Sequence, residues 1–268
     1  MMASRAVNRF SPFNAVSLAL GFAFLYLPIV ILVIYSFNAS RLVTVWGGWS
    51  LRWYDEFFHD GAMIEAAWMS FRVAATSATI ATLLGTLAAV ALSRGERFFG
   101  RTLFSGMLYA PLVMPEVITG LSLLLLFVAL NAERGFWTVT IAHTTLTMCF
   151  VAVVVQSRLA SLDRSLEEAA MDLGANEWVT FRKVTLPLIA PAILAGGLLS
   201  FALSIDDFVI TYFNAGSEIT FPLFVWGAAR VGAPPQVNVM GTAIFVVALS
   251  LMLVNVLLQR RRESQVRT

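Results

Sequence analysis

Three carboxylates stand in otherwise apolar stretches of this chain: Glu116, Asp206 and Asp207. An ionised side chain in the hydrocarbon of a bilayer costs about 2.5–3.5 kcal/mol or more, so each of these acids calls for a partner or a function. If the acids face a water-filled cavity, they attract cations and repel anions, and two separated carboxylates suit a flexible diamine. The alternative is structural, with each acid paired to an arginine or hydroxyl of a neighbouring subunit or placed at a helix end.

The two adjacent aspartates constrain this choice. Neighbouring residues of a helix point about 100° apart, so Asp206 and Asp207 face one pathway only if the helix breaks there. They also lie about 25 Å along a helix that begins near Ile189, which places them close to a membrane interface. Both the cation-path interpretation and the helix-end interpretation remain open at this point.

The second polar feature is the segment 167–187, EEAAMDLGANEWVTFRKVTLP. A segment with this many charges must face water, because each ionised group is costly in hydrocarbon. It is either an ordinary amphipathic loop lying on the membrane or a surface on which another protein docks. We call residues 165–187 the elbow, because local residue types predict two short helices joined by a turn.

Four residues predict the shape of the elbow. Ser165 is suited to cap a first helix, and Gly174 is suited to end it with a positive φ angle. Asn176 is suited to cap a second helix. That second helix is predicted to stop at Leu186-Pro187, because the residue before a proline disfavours helical geometry.

Composition places these features in an all-α membrane protein with one transmembrane domain, residues 1–268. Hydrophobic residues make up 59% of the chain and charged residues 13%, against about 25% charged in a typical soluble domain. The net charge of +2 does not indicate a nucleic-acid partner. His59 and His143 are far apart in sequence, and the chain has no Cys/His cluster that would indicate a metal site. No nucleophile–base pair indicates an enzyme.

Six segments reach the roughly 20 apolar residues that a helical span requires. We expect them to be helices, because lipid offers the backbone no hydrogen-bond partners. The predicted spans are about 16–37, 72–93, 103–130, 136–156, 189–212 and 240–258. Pro111 and Pro115 mark predicted kinks in the third span.

Lysines and arginines predict the orientation. With the N-terminus in the cytoplasm, 13 of them fall on the cytoplasmic side and 5 outside, which satisfies the positive-inside rule. Both termini and the loop 157–188 are then cytoplasmic. The outside loop 38–71 carries Trp46, Trp49 and Trp53, which either anchor at the membrane interface or form a docking surface for an extracytoplasmic partner.

The elbow also carries a spaced motif. Glu168-Ala169-Ala170 is followed by Gly174, nine further residues, and then Val184-Thr185-Leu186-Pro187. This spacing resembles the EAA loop of ABC importer permeases, in which E-A-A, three residues, glycine and nine residues precede I-x-L-P. The one departure is Val184 in place of isoleucine.

The resemblance implies a type I ABC importer permease-like fold, in which the elbow seats in a groove of a separate ATP-binding subunit. ATP-driven closure of two such subunits then alternates access across the membrane. The implied coupling residues are Glu168, Ala169, Ala170, Asp172, Gly174, Leu186 and Pro187. This chain has no G-x-x-x-x-G-K-[ST] motif, so we expect it to bind no cofactor itself and its partner to bind ATP and magnesium.

Further segments resemble the polyamine permeases of bacterial ABC importers, and most of all the putrescine permease subunit. They are Leu27-Pro28, residues 110–118 (APLVMPEVI) and residues 204–208 (SIDDF). The resemblance implies a place in the bacterial inner membrane beside a second homologous permease, an ATP-binding subunit dimer and a periplasmic polyamine-binding protein. The alternatives are a permease for spermidine or another small solute and, from a different class, an ion-coupled secondary transporter using Glu116 and Asp207 as proton sites.

Overall fold

A computed structural model describes residues 12–42, 45–95, 98–232, 234–246, 249–250 and 253. Within these residues the chain is helical apart from its loops and an isolated bridge between Asn38 and Trp49. In chain order the helices are α1 Pro12–Ser36, α2 Arg52–His59, α3 Gly61–Arg94, α4 Arg101–Val113, α5 Glu116–Ala129, α6 Phe136–Ser161, α7 Ser165–Asp172, α8 Glu177–Thr180, α9 Leu186–Ile205, α10 Val209–Asn214, α11 Phe221–Val231 and α12 Gln236–Val246. The predicted all-helical architecture is therefore confirmed.

Among the described residues, four helices are long and apolar enough to cross a membrane: Phe13–Ser36, Gly61–Arg94, Phe136–Ser161 and Glu177–Ile205. They overlap the first, second, fourth and fifth predicted spans. The sixth, 240–258, lies partly outside the described residues. Seven of the twelve arginines assigned to the cytoplasmic side lie outside them entirely: Arg5, Arg9, Arg97, Arg260, Arg261, Arg262 and Arg267.

The predicted third span, 103–130, consists of two helices. α4 ends at Val113, α5 begins at Glu116, and the two are bent by 117° at the break. The cause is Pro115, which holds Met114 in an extended conformation with φ −74° and ψ 139°. The kink predicted at Pro115 is thus a full break, whereas Pro111 lies inside α4 without ending it.

The predicted fifth span, 189–212, is also interrupted. Its helix ends at Ile205, and α10 begins only at Val209. At the other end, the helical segment starts well before residue 189, because α8 runs through a π-helical turn, Phe181–Thr185, directly into α9.

The chain forms two compact units, Met1–Gly61 with Gly227–Thr268 and Ala62–Trp226. In the first unit, Asn38 organises the loop that follows α1. Its Oδ1 accepts the N–H of Gly47 at 2.7 Å, and its backbone carbonyl accepts the buried Trp53 indole N–H at 2.6 Å. This loop therefore has defined structure, with Trp46 and Trp49 on its surface.

In the second unit, α6 is the most buried of the candidate spans, and it packs against α4, α9 and α10. One core cluster joins α3, α6 and α9 through Ala89, Val151, Val155, Leu159 and Ile189. Close approach of α3 to α6 depends on Gly85, where an added Cβ would lie 2.6 Å from the Met148 carbonyl oxygen and 2.8 Å from Cβ of Val151.

Gly85→Ala is expected to destabilise the protein by about 1–3 kcal/mol, because the backbone carbonyl it meets cannot move aside without separating two helices. Gly106→Ala is the matched control, since a Cβ at Gly106 meets nothing within 4 Å. Thermal unfolding in detergent measures both variants. Equal melting temperatures for the two variants would contradict the close α3–α6 packing.

Candidate functional site

The first half of the elbow is a short helix closed by a glycine. α7 ends in a Schellman motif, in which the Gly174 N–H bonds the Met171 carbonyl at 2.9 Å and the Ala175 N–H bonds the Ala170 carbonyl at 3.1 Å. Gly174 has φ +89°, a conformation that glycine adopts without steric cost. The predicted turn at Gly174 is confirmed.

The two predicted caps differ in outcome. The Asn176 side chain caps α8 by accepting the Val179 N–H at 2.8 Å, as predicted. The capping role predicted for Ser165 is wrong, because α7 already begins at this residue. Asp163 instead accepts the Ser165 N–H at 3.0 Å, and this hydrogen bond holds the pKa of the exposed Asp163 carboxyl below its usual value.

The predicted stop at Leu186-Pro187 is also wrong. The Leu186 N–H bonds the Phe181 carbonyl five residues back, which is the hydrogen bond of a π-helical turn. This wider turn directly precedes Pro187, the second residue of α9, whose ring nitrogen has no hydrogen to donate to the preceding turn. The second half of the elbow and α9 are consequently one helical segment, Glu177–Ile205.

Glu167 fixes the elbow to the rest of the second unit. Its carboxylate pairs with the Arg94 guanidinium at 2.9 Å and accepts the Thr185 hydroxyl at 2.8 Å. Arg94 also donates to the Leu159 carbonyl at 3.2 Å. One carboxylate thereby connects α7 to the end of α3, the end of α6 and the π-helical turn.

The motif residues lie mostly on the surface of the elbow. Glu168, Ala169, Asp172, Gly174 and Pro187 are exposed, while Ala170 and Leu186 are half-buried. Large apolar side chains are exposed beside them, namely Leu166, Met171, Leu173 and Trp178, and Leu173 at the tip is 91% exposed. A surface that mixes charges with exposed apolar side chains in this way is typical of a protein–protein docking site.

The three predicted acids all lie at helix ends, next to breaks. Glu116 is the first residue of α5, directly after the 117° bend, and its side chain is exposed. Asp206 directly follows the last residue of α9 and is exposed, whereas Asp207 lies between Asp206 and α10. The break that a shared pathway for both aspartates requires is therefore present, and α5 packs against α10 on its far side.

Asp207 is the most enclosed of the three acids. The Ile210 N–H donates to its two carboxylate oxygens at 2.9 and 3.2 Å, so the side chain caps α10. Its side chain is 9% exposed, and one carboxylate oxygen lies 3.9 Å from Nε2 of His143. A carboxylate held this way has a fixed direction, which a cation-binding group requires.

Sequence reasoning missed two residues of these sites. Glu167 and Glu168 are adjacent acids, and only the packing of α7 distinguishes them. Glu167 forms an ion pair with Arg94, whereas Glu168 is exposed. His143 was considered only as a metal ligand. Its polar neighbours on α6, Thr140, Thr144 and Thr147, follow helical spacing and were a signal of a polar helix face.

The described part of the chain holds no group of three His, Cys, Asp or Glu side chains that could bind a metal ion.

Residues 81–267 match the family described as "Binding-protein-dependent transport system inner membrane component", and the chain belongs to this family. It is accordingly an inner-membrane permease subunit of an ABC transporter and is not itself the ATPase.

Two relatives from Escherichia coli (strain K12) are similar over nearly the whole chain. The putrescine transport system permease protein PotI is 54% identical over 241 residues, covering 87% of this chain and 86% of the relative. The spermidine/putrescine transport system permease protein PotC is 42% identical over 240 residues, covering 89% and 90%.

Solved structures of ABC transporters share the fold. A bacterial transporter that imports the acidic polysaccharide alginate superposes with a TM-score of 0.65 at 19% identity, covering 95% of this chain and 99% of that one. The MetNI methionine transporter superposes with a TM-score of 0.60 at 16% identity, covering 72% and 92%. The helix arrangement of this chain is thus that of ABC permeases.

Glu167→Gln is expected to destabilise the protein by about 1.5–3 kcal/mol, because it leaves the largely buried Arg94 guanidinium without a counter-charge. Glu168→Gln, one residue along and exposed, is the control and should change stability by about 0.5 kcal/mol or less. Thermal unfolding in detergent compares them. An equal loss in both variants would show that Glu167 does not anchor the elbow.

Proposed function

We propose that this chain is the permease subunit of an ATP-driven importer of polyamines, with putrescine as its cargo. Six spans would cross the membrane with both termini in the cytoplasm. A second homologous permease would complete the pathway, two ATP-binding subunits would drive it, and a periplasmic binding protein would deliver the polyamine. The observation that carries this proposal is the enclosed Asp207 carboxylate at a helix break, in a chain 54% identical to a putrescine permease.

The charge around the two breaks favours cationic cargo. Residues 102–133 and 184–229 contain no lysine or arginine, while they contain all three predicted acids, Glu116, Asp206 and Asp207. An acidic pathway without fixed positive charge concentrates cations and repels anions. A diamine has an ammonium group at each end, so carboxylates at two separate breaks match its chemistry.

Aromatic rings stand beside the acids. Phe208 follows Asp207 directly, and its ring centroid lies 5.5 Å from that of Tyr212 and 5.0 Å from that of Trp226. Aromatic faces attract ammonium groups through cation–π interactions. The Tyr212 and Trp226 faces would therefore assist a cation path beside Asp207.

Spermidine is the second candidate cargo, because a relative 42% identical to this chain transports spermidine and putrescine by name. Uptake by vesicles that contain this chain, its partner permease, the ATPase and the binding protein distinguishes the candidates. We expect ATP-dependent uptake of labelled putrescine that excess unlabelled putrescine abolishes and an amino acid leaves unchanged. If unlabelled spermidine inhibits this uptake more strongly than unlabelled putrescine at the same concentration, spermidine is the cargo instead.

The same proposal assigns the elbow to ATPase docking. Glu168, Asp172 and Gly174 form an exposed surface next to the exposed Leu173, and the Schellman turn gives this surface a fixed shape. Ala169, Ala170, Leu186 and Pro187 complete the motif that the resemblance assigns to coupling. Because α8 and α9 are one helical segment, force applied to the elbow reaches the membrane directly.

Gly174→Asp is expected to reduce ATP-driven uptake at least about tenfold while the protein still inserts, because a side chain at the tip obstructs docking. Gly100→Asp is a close control. Gly100 also has a positive φ, +84° against +89°, and at both positions a Cβ meets nothing within 4 Å. Equal uptake in the two variants would refute docking at the elbow.

Asp207→Asn is expected to raise the KM for putrescine uptake about tenfold, since the charge that meets the ammonium group is lost. Asparagine still offers an oxygen to the Ile210 N–H, so α10 keeps its cap. Glu133→Gln, an exposed acid outside the breaks, is the control. An unchanged KM in Asp207→Asn would remove Asp207 from the cation path.

A further inference from the structure

His143 lies in the first half of α6 and is 2% exposed. Both of its ring nitrogens have hydroxyl partners, with Nδ1 2.7 Å from Oγ of Ser204 and Nε2 2.8 Å from Oγ1 of Thr211. An ionisable side chain inside a membrane protein is a candidate functional group, particularly when its partners lie on other helices. The family motif and the acid positions leave this residue without a role.

The hydrogen bonds of His143 extend across four helices. Ser204 in α9 also contacts Oγ of Ser77 in α3 at 3.0 Å, and Thr211 lies in α10. Ser204 therefore precedes the acidic break and Thr211 follows it. The imidazole ring connects the two helices on either side of Asp206 and Asp207.

The hydrogen-bond partners of His143 indicate which of its ring nitrogens carries the hydrogen. The Thr211 hydroxyl donates to the backbone carbonyl of Asp207 at 3.2 Å, so its oxygen accepts from an N–H on Nε2 of His143. Nδ1 then accepts from the Ser204 hydroxyl. In this neutral tautomer Ser204 accepts from the Ser77 hydroxyl at 3.0 Å, which is shorter than the 3.3 Å from that hydroxyl to the Ala74 carbonyl. The N–H on Nε2 then lies on the side of the ring that is 3.9 Å from the Asp207 carboxylate.

We propose that His143 is a positioning residue, which holds the Asp207 backbone through Thr211 and thereby the direction in which the Asp207 carboxylate receives an ammonium group of the cargo. This inference rests on the proposed role of Asp207 in the cation path. The position of Nε2 is what matters, because that nitrogen faces Thr211 and Asp207, whereas Nδ1 faces Ser204.

Two substitutions of His143 distinguish the roles of its two ring nitrogens. The amide of His143→Gln reaches the place of Nε2, whereas the amide of His143→Asn reaches only the place of Nδ1. Reconstituted vesicles measure KM and maximal rate of putrescine uptake. We expect His143→Asn to raise KM about tenfold and His143→Gln to raise it about threefold or less, with smaller effects on maximal rate. Equal KM values in the two variants would overturn the inference.

Asp207→Asn provides the link to the proposed function. In that background, His143→Asn should raise KM no further, because the carboxylate it positions is absent. A normal KM in the Asp207→Asn single variant would refute the cation path itself. A raised KM in Asp207→Asn together with a normal KM in the His143→Asn single variant would refute only the positioning role.

Thr211 gives a second test that keeps the imidazole. Thr211→Val removes the hydroxyl that joins His143 to the Asp207 backbone, and Thr211→Ser retains it. Thr211→Val is expected to raise KM as His143→Asn does, with Thr211→Ser closer to the parent protein. If His143→Asn fails to assemble, this pair decides the question, and equal KM values for valine and serine would contradict the proposal.

Discussion

A carboxylate inside a membrane protein must obtain its partners from the chain, because hydrocarbon supplies none. Asp207 obtains them where one helix ends and the next begins, since the Ile210 N–H there is free to donate to it. The helix break therefore leaves a backbone N–H free, and the Asp207 carboxylate accepts its hydrogen bond. The chain of hydroxyls through His143 and the packing of α5 against α10 both centre on this break.

The second half of the elbow and the acidic break lie at the two ends of one helical segment. The helical segment Glu177–Ile205 has 29 residues, or about 43 Å at 1.5 Å per residue, and runs from α8 to the residue before Asp206. Glu167 joins the other half of the elbow to α3 and α6 through Arg94. No loop interrupts the chain between α8 and the residue before Asp206.

The sequence was sufficient where local chemistry decides the structure. Gly174 and Asn176 act within a few residues of themselves, and the turn and cap predicted for them are confirmed. Pro187 was misjudged because a π-helical turn accommodates it, which depends on the surrounding helix. His143 and Glu167 were missed because their partners come from other helices, and sequence spacing does not report such contacts. The functional importance of Glu116, Asp206 and Asp207 remains a prediction, although the break that it requires is present.

The central claim is that energy enters through the elbow from ATP and that a cationic diamine crosses beside Asp207. Putrescine uptake by reconstituted vesicles, measured after proton and sodium gradients have been collapsed, tests it most directly. The account predicts that uptake continues and stays proportional to ATP hydrolysis by the partner ATPase. Uptake that stops with the gradients and continues without ATP hydrolysis would contradict it and would favour an ion-coupled secondary transporter.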